Sequence, residues 1–463
     1  MFKTLFIREI QNYLYSLRFR ISFVIVILVF VIGTISFIST FSETHKNYAQ
    51  FERNQQSELA ERAKNVSRVA TYQDHYIISP RDNGIIADCK ESVLPNDFTY
   101  SAYNVYEFSI RHNSTNPLLK RSDSLTWVFI ISMFLSFVTL LFSFDSISGE
   151  KEDRTLALVF SNPVSRKSFL LSKLLSIVAV VVGMAIVGML ISLIILALSG
   201  KVLLNANFFM EVACFSLVSL LFITVFASFG LLSSAVTRYS NVSLLISLCF
   251  WLFSAVVIPN TSVFWANKLF PIPTADKVQQ VMNEELEDLR RNAPKGSWSS
   301  SDDPFYKRHE LRADIQMKLM NARKKHSDAY YLQMFQQFEK TRNFTLISPI
   351  AQFEYINEAF LGGGYLRFKK NWNDMHIFQE QFLQWFKDID AKDPNTPHWY
   401  NPYEGLSTSK QEVAVDQIPQ YQEKLAPFSQ RLQFIAGYLI AMIVMIALFF
   451  GLCFYFFVRY DVR

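Results

Sequence analysis

Residues 147–173 read ISGEKEDRTLALVFSNPVSRKSFLLSK, and this densely charged stretch separates two long apolar runs. Near its start, residues 150–154 carry charges of both signs, and the apolar stretch 156–160 follows. Each flanking run is long enough to cross a bilayer, because about 20 residues span the hydrocarbon core. The pattern predicts a short charged helix held between the ends of two membrane helices.

The whole chain has the composition of a membrane protein. Of its 463 residues, 51% are hydrophobic and only 18% are charged, whereas soluble domains carry about 25% charged residues. The net charge of +5 is small and forms no basic patch, which argues against a nucleic-acid partner. We predict transmembrane helices at 21–40, 124–144, 169–199, 208–236, 242–260 and 432–458.

Basic residues flanking these runs set the orientation that we predict. They cluster before the first run, in residues 145–168 between the second and third, and after the last one. Because basic residues favour the cytoplasmic side, both termini are expected there, in a multi-pass protein of the bacterial cytoplasmic membrane. Residues 1–20 place apolar side chains at spacings of three and four, which predicts an interfacial helix, and 459–463 form a short cytoplasmic tail.

More than half of the chain is then expected outside the cytoplasm, in segments 41–123 and 261–431. The second segment contains charged stretches with apolar stripes that predict helices at 274–291 and 304–340. The first mixes a predicted helix at 43–69 with strand-like patches between residues 72 and 106. The predicted fold class is an all-α membrane protein of six spans, with one mainly helical extracytoplasmic domain built from these two insertions. Within the second segment, the apolar stretch 346–361 is expected to touch the outer membrane surface.

Several kinds of chemistry are missing from the sequence. No span carries an ionisable residue in its central part, whereas ion-coupled transporters place charges near the midplane. No Gly-x-x-x-x-Gly-Lys-[Ser/Thr] motif is present, so we predict that this chain is not an enzyme and does not itself hydrolyse ATP. The seven histidines are dispersed along the chain, and we predict neither a metal site nor a bound cofactor.

The charged stretch is instead typical of a docking element. Polar ends with an apolar patch between them allow a helix to enter a groove on a partner protein, and ion pairs can fix its register. An ordinary cytoplasmic loop that follows the positive-inside rule is the alternative. That alternative explains the basic residues but not the four acids in 145–153 or the apolar patch.

Residues 145–173 resemble the signature of ABC-2-type permeases, the membrane subunits of one class of ABC transporters. That pattern reads Glu-x-Glu-x-Gly-Thr-Leu, then Pro-Val-Ser-Arg, then Lys at the foot of the next span. This chain matches it with Glu150, Glu152, Thr155, Leu156, Pro163, Val164, Ser165, Arg166 and Lys173. It departs at Arg154, where the pattern has Gly, and a non-Gly residue predicts a continuous docking helix. The stretch from Ser348 onward resembles a subgroup with a large extracytoplasmic insertion before the last span.

The resemblance implies a set of partners and a contact surface. Two separate ATPase subunits, which bind ATP and Mg, would dock on this chain, and a second permease, identical or homologous, would complete the transporter in contact with membrane lipid. The ATPase contact is expected to comprise Glu150, Lys151, Glu152, Asp153, Arg154, Thr155, Leu156, Pro163 and Arg166.

Two functions remain open from the sequence. In the first, the chain exports a substrate, and the stripe Ser132, Ser136, Thr139 and Ser143 on one face of the second span lines its path. Such a stripe is equally typical of helix packing. In the second, ATP hydrolysis inside the cell rearranges the large outer domain, which acts on an envelope protein in secretion, gliding or metalloenzyme maturation while nothing crosses the membrane.

Overall fold

The structure is a computed structural model that describes residues 2–89, 94–109, 125–161, 163–294 and 305–460. It is 76% helical, with six helices long and apolar enough to cross a membrane. Within these residues the predicted helical class and the six spans are therefore confirmed, whereas the side of the membrane on which the termini lie stays a prediction. The predicted start of the second span at residue 124 and the last residues, 461–463, lie outside the described part.

The first two helices differ from the predicted boundaries. Helix α1 covers Phe2–Tyr15, and Ser16 then caps helix α2, Leu17–Arg62, by accepting a hydrogen bond from the backbone N–H of Phe19. The prediction separated a span at 21–40 from a helix at 43–69, but α2 is unbroken over 46 residues. At 1.5 Å per residue it is about 70 Å long, so it crosses the bilayer and continues well beyond it.

The remaining spans complete the helix bundle. They comprise α4 (Trp127–Phe129), a π-helical turn at Ile130–Leu135 and α5 (Ser136–Ser143), then α8 (Arg166–Ser199), α9 (Ala206–Val236), α10 (Ser240–Leu252) with a π-helical turn at Phe253–Val257 and α11 (Ile258–Leu269), and α16 (Phe428–Arg459). Helix α1 packs on the first part of α8, where Lys173 pairs with Glu9 of α1. Arg166 at the start of α8 binds the last carbonyls of α16, so α1 and the end of α16 lie at the same end of the bundle. Between α5 and α8 lie two short helices, α6 (Ser148–Glu152) and α7 (Leu156–Phe160).

Close approach of helices inside the bundle depends on glycine. A Cβ added to Gly230 of α9 would stand 1.7 Å from Oγ of Ser143 on α5. No side chain fits there without moving one of the two helices, so Gly230 permits the α5–α9 contact.

The two polar segments build one further body, which we name the polar domain (residues 43–109 and 270–426). It contains α3 (Val66–Thr71) and a three-stranded antiparallel sheet of β1 (Asp74–Ile77), β2 (Asp97–Tyr100) and β3 (Val105–Ser109) in the order β1-β2-β3. From the second segment, α12 (Ala275–Arg291), α13 (Phe305–Phe344) and α15 (Gly364–Asp390) join it, whereas α14 (Pro349–Phe360), which lies between α13 and α15 in sequence, packs against the spans.

Both segments contribute to the core of the polar domain. Val66 and Phe98 of the first segment are fully buried in one apolar cluster with Phe382 and Phe386 of α15. Burial of large aromatic side chains typically stabilises by about 1.5–3 kcal/mol each. The two segments therefore fold together although 160 residues, 110–269, separate them in sequence.

Helix α14 is the largest departure from the predicted layout. The apolar stretch 346–361 was expected at the membrane surface, but all residues of α14 except Glu354 are buried. Phe353 stacks on Phe222 of α9 with ring centroids 4.4 Å apart, and Ser348 donates a hydrogen bond to the carbonyl of Ser254 in the π-helical turn. The stretch is too short to span a bilayer. Its apolar side chains are removed from water because the helix inserts between the spans.

Candidate coupling site at the end of the helix bundle

The charged stretch of the sequence does not form the continuous helix that we expected. Arg154 has a φ of +56°, in the left-handed region, and it separates α6 from α7. A left-handed residue ends a right-handed helix, and a side chain with a Cβ pays about 1–2 kcal/mol for that conformation. The resemblance placed Gly at this position, and the backbone now shows why Gly is suited to it.

This conformation leads to a prediction about Arg154. Arg154→Gly should raise the thermal stability of the purified protein, by up to about 1 kcal/mol, because Gly adopts positive φ without strain. Arg154→Ala is the matched control, since Ala keeps the strain and removes the exposed guanidinium. Thermal midpoints in detergent distinguish the two. Equal midpoints for both variants would show that the left-handed turn is not strained.

Five charged side chains of residues 145–168, which we name the coupling segment, are bonded to the ends of the spans: Asp145, Glu150, Lys151, Glu152 and Arg166. Asp145 pairs with Arg18 at the start of α2, at 2.5 Å. Oε2 of Glu152 accepts a hydrogen bond of 3.1 Å from the backbone N–H of Ser240, at the start of α10. An acidic side chain is favoured at a helix N-terminus by the helix dipole.

The basic side chains of the segment bind the carbonyl ends of two other spans. Nζ of Lys151 donates to the carbonyls of Ala235 and Thr237 at the end of α9, at 2.5 and 3.0 Å. Nη1 of Arg166 donates to the carbonyls of Phe457 and Tyr460 at the end of α16, at 2.9 and 3.2 Å. Cations stabilise helix C-termini, where the last carbonyls lack helical partners.

Glu150 has an internal role that the sequence did not reveal. Its Oε1 lies 2.5 Å from Nζ of Lys173 on α8, and the same ammonium lies 2.8 Å from Oε1 of Glu9 on α1. The Lys173 side chain is only 6% exposed. Nearby, Tyr13 of α1 and Ser146 share a hydrogen bond of 3.1 Å, and burial raises the pKa of Tyr13 to about 12. The segment is thus joined to α1 and to the third span as well.

Two residues predicted at the ATPase contact are turned towards the bundle in this conformation, and the contact itself stays a prediction. Leu156 is 3% exposed and belongs to the bundle core, and Glu150 is held by Lys173. The outward face is formed by other residues, and Leu158, which the sequence analysis did not single out, is 69% exposed. The exposed members of the predicted set are Glu152, Asp153, Arg154, Thr155 and Pro163.

The polar stripe on the second span packs inside the protomer. Ser132, Ser136, Thr139 and Ser143 are all 0% exposed. Each hydroxyl donates to a carbonyl three or four residues earlier on the same stretch of helix, and Ser136 also accepts from the indole N–H of Trp251 at 2.9 Å. This placement is typical of helix packing, the alternative that the sequence also allowed, and the substrate path stays a prediction.

In the described part of the chain no three His, Cys, Asp or Glu side chains are grouped so that they could hold a metal ion. Several histidines pair with single carboxylates of the polar domain. His75 with Asp97 and His376 with Asp328 both have N–O distances of 3.0 Å.

The comparison with known families agrees with this architecture. The profile of a family described as "ABC-2 family transporter protein" matches residues 4–462. The chain belongs to the ABC-2 transporter family. It is accordingly a multi-pass membrane protein of the permease type. A search of curated proteins found no match.

Family membership implies partners in general terms. ABC-2 permeases in general assemble with ABC ATPases and as dimers. In this permease, the coupling segment is bonded to α1 and to all five spans besides the one that precedes it. The segment is the part of the protein through which a displacement at one point would reach every span.

Proposed function

We propose that this permease couples ATP hydrolysis by separate ATPase subunits to export of a substrate across the cytoplasmic membrane. The observation that carries the proposal is the coupling segment. It presents an exposed face with the apolar Leu158, while Lys151, Glu152 and Arg166 are bonded to the ends of the spans. A partner that presses on this face displaces the spans together.

The energy must come from the partner. The chain has no phosphate-binding loop, so ATP and Mg would be bound by two ATPase subunits on the cytoplasmic side, the side of both termini. Their closure on ATP would shift the coupling segment, and the effect depends on the segment being bonded differently in the two states. Rigid-body rocking of helix bundles is an established form of alternating access, here between two permease copies.

The polar domain supports a second function, mechanical transmission to an envelope partner. Helix α2 runs without a break from Arg18, beside the coupling segment, to Arg62 in the polar domain. Leu59 near its end is buried in the same core as α15. A stiff helix anchored at both ends transmits a displacement along its axis, so the polar domain would move when the segment moves.

Co-purification from the native membrane tests the docking face. Leu158→Asp should abolish recovery of a soluble ATPase with this permease, because a carboxylate would be buried unpaired at the contact. Leu203→Asp is the matched control, since Leu203 is 70% exposed at the opposite end of the bundle.

The outcomes separate the two functions as well as testing the contact. Loss of the ATPase with Leu158→Asp alone supports the docking face, and an envelope protein retained in the eluate favours mechanical transmission. Absence of any ATPase from the native preparation, or full recovery with Leu158→Asp, would contradict the proposal.

A further inference from the structure

A cleft of about 520 Å³ opens in the polar domain. One wall is the part of α2 around Tyr48, Glu52 and Gln56, and the facing wall is the extended stretch 420–425. Strand β1 contributes Tyr76 at the base. The volume lies within the range of about 300–1,000 Å³ that is usual for small-molecule sites.

The lining combines aromatic rings with planar hydrogen-bonding groups. Tyr76 and Tyr421 form an edge-to-face pair with centroids 4.6 Å apart, and Tyr48 and Phe51 add two further rings. Amide side chains come from both walls: Gln55, Gln56, Gln420 and Gln422. An amide both donates and accepts hydrogen bonds, and a ring offers an apolar face.

The charges in the cleft balance each other. Arg367 binds Glu423 through two hydrogen bonds of 2.6 Å. Tyr48 donates a hydrogen bond to Glu52. Arg81 also lines the cleft, and its Nη1 is buried without a hydrogen-bond partner among the described residues. A strongly charged ligand would meet no excess of opposite charge here, whereas a neutral ligand rich in hydroxyl groups would find donors, acceptors and rings.

An extended peptide fits the cleft less well. Peptides commonly bind by adding a strand to a sheet edge, and β1 is an edge strand of this sheet. Gln55 occupies that edge, because its Nε2 donates to Oδ1 of Asp74 at 2.9 Å and to the carbonyl of His75. Main-chain pairing along β1 is therefore blocked.

We infer that the cleft binds a neutral saccharide, with sugar rings against the tyrosines and hydroxyl groups bonded to the amides and to Glu52. The saccharide would be either a free glycan or the headgroup of a glycolipid, since both present the same chemistry.

The cleft is placed to respond to the coupling segment. Its α2 wall continues to Arg18, which pairs with Asp145. The facing stretch leads into α16, whose last carbonyls accept from Arg166. The two walls thus belong to the first and last spans, and a relative displacement of these spans would open or close the cleft. This role in the cycle rests on the proposed function, whereas saccharide binding itself does not.

The test uses the full chain in lipid nanodiscs. Free cellotriose, maltotriose and N,N′,N″-triacetylchitotriose are titrated by calorimetry and saturation-transfer NMR. A parallel set of nanodiscs contains glucosyl diacylglycerol, with bound lipid counted by native mass spectrometry. The variant is Gln56→Ala with Gln420→Ala, both at exposed positions. The control is Gln50→Ala, an exposed glutamine of the same helix outside the cleft.

We expect binding of at least one probe, weakened tenfold or more in the double variant and unchanged with Gln50→Ala. Binding of a free trisaccharide identifies a soluble glycan, and retention of the glycolipid alone identifies a headgroup. No binding of any probe, or equal binding by the double variant, would overturn the inference. ATPase recovery with the double variant should stay at the native level, so a failure here is distinguishable from a failure of the proposed function.

Discussion

Lys173→Met is expected to destabilise the permease by about 3–5 kcal/mol. Removing one member of a buried ion pair leaves the other charge uncompensated, and here two carboxylates, Glu9 and Glu150, would face each other without the ammonium that lies 2.8 and 2.5 Å away. The Lys173 side chain is 6% exposed, and its two carboxylate partners are only 16% and 20% exposed, so water compensates their charges poorly. Thermal midpoints and denaturant unfolding of the purified protein measure the loss.

Two further variants show whether the unpaired charges cause this loss of stability. The triple variant Glu9→Gln, Glu150→Gln, Lys173→Met should recover most of the loss, because it leaves no unpaired charge. Lys318→Met breaks the pair with Asp314 on α13, where both side chains are more than half exposed, and exposed pairs contribute at most about 1 kcal/mol. If Lys173→Met cost no more than Lys318→Met, the three-residue cluster would not hold α1 and the coupling segment to α8.

The spans could be predicted because the signal for each span lies within one continuous run of the sequence. Each is a run of about 20 or more apolar residues with charges only near its ends, and the bilayer allows few structures other than a helix for such a run. The same reasoning failed for α14. Its apolar run is too short to span, and sequence does not show whether such a run lies on a membrane surface or inserts between spans.

At the coupling segment, the residue types were found but their partners were not. Glu150 and Lys173 are 23 positions apart, and nothing in their spacing shows that they meet. Leu156 and Leu158 lie two residues apart, on different sides of α7, and only packing decides that the first is buried and the second exposed. The break at Arg154 had a signal, since the family pattern has Gly there, but an arginine at positive φ is uncommon enough that a continuous helix was the natural expectation.

Arg367→Met is the corresponding prediction for the polar domain, with an expected loss of about 3–5 kcal/mol at pH 7. Arg367 on α15 donates two hydrogen bonds to Glu423, which precedes α16, and one of 3.1 Å to the carbonyl of Ser79. Its side chain is 4% exposed and that of Glu423 is 11% exposed. The variant would leave the Glu423 carboxylate buried without its two bonds from Arg367. The side-chain amide of Asn371, which donates to Oε1 of Glu423 at 2.8 Å, would remain.

The pH dependence separates lost charge pairing from lost packing. Burial alone would raise the pKa of Glu423, but the hydrogen bonds and charge of Arg367 outweigh it and hold this pKa below its usual value of 4.5. Because the folded pKa is lowered, the pair's contribution to stability is complete above about pH 4.5 and is lost as the pH falls through the folded pKa. In Arg367→Met burial prevails, so the carboxyl protonates more readily when folded and the penalty should shrink between pH 7 and pH 4. Unfolding of both proteins across this range measures it, and the double variant Arg367→Met, Glu423→Met should show neither the penalty at pH 7 nor its decline. A penalty that is the same at both pH values would mean that Arg367 acts through its packing and that the ion pair does not fasten α15 to the last span.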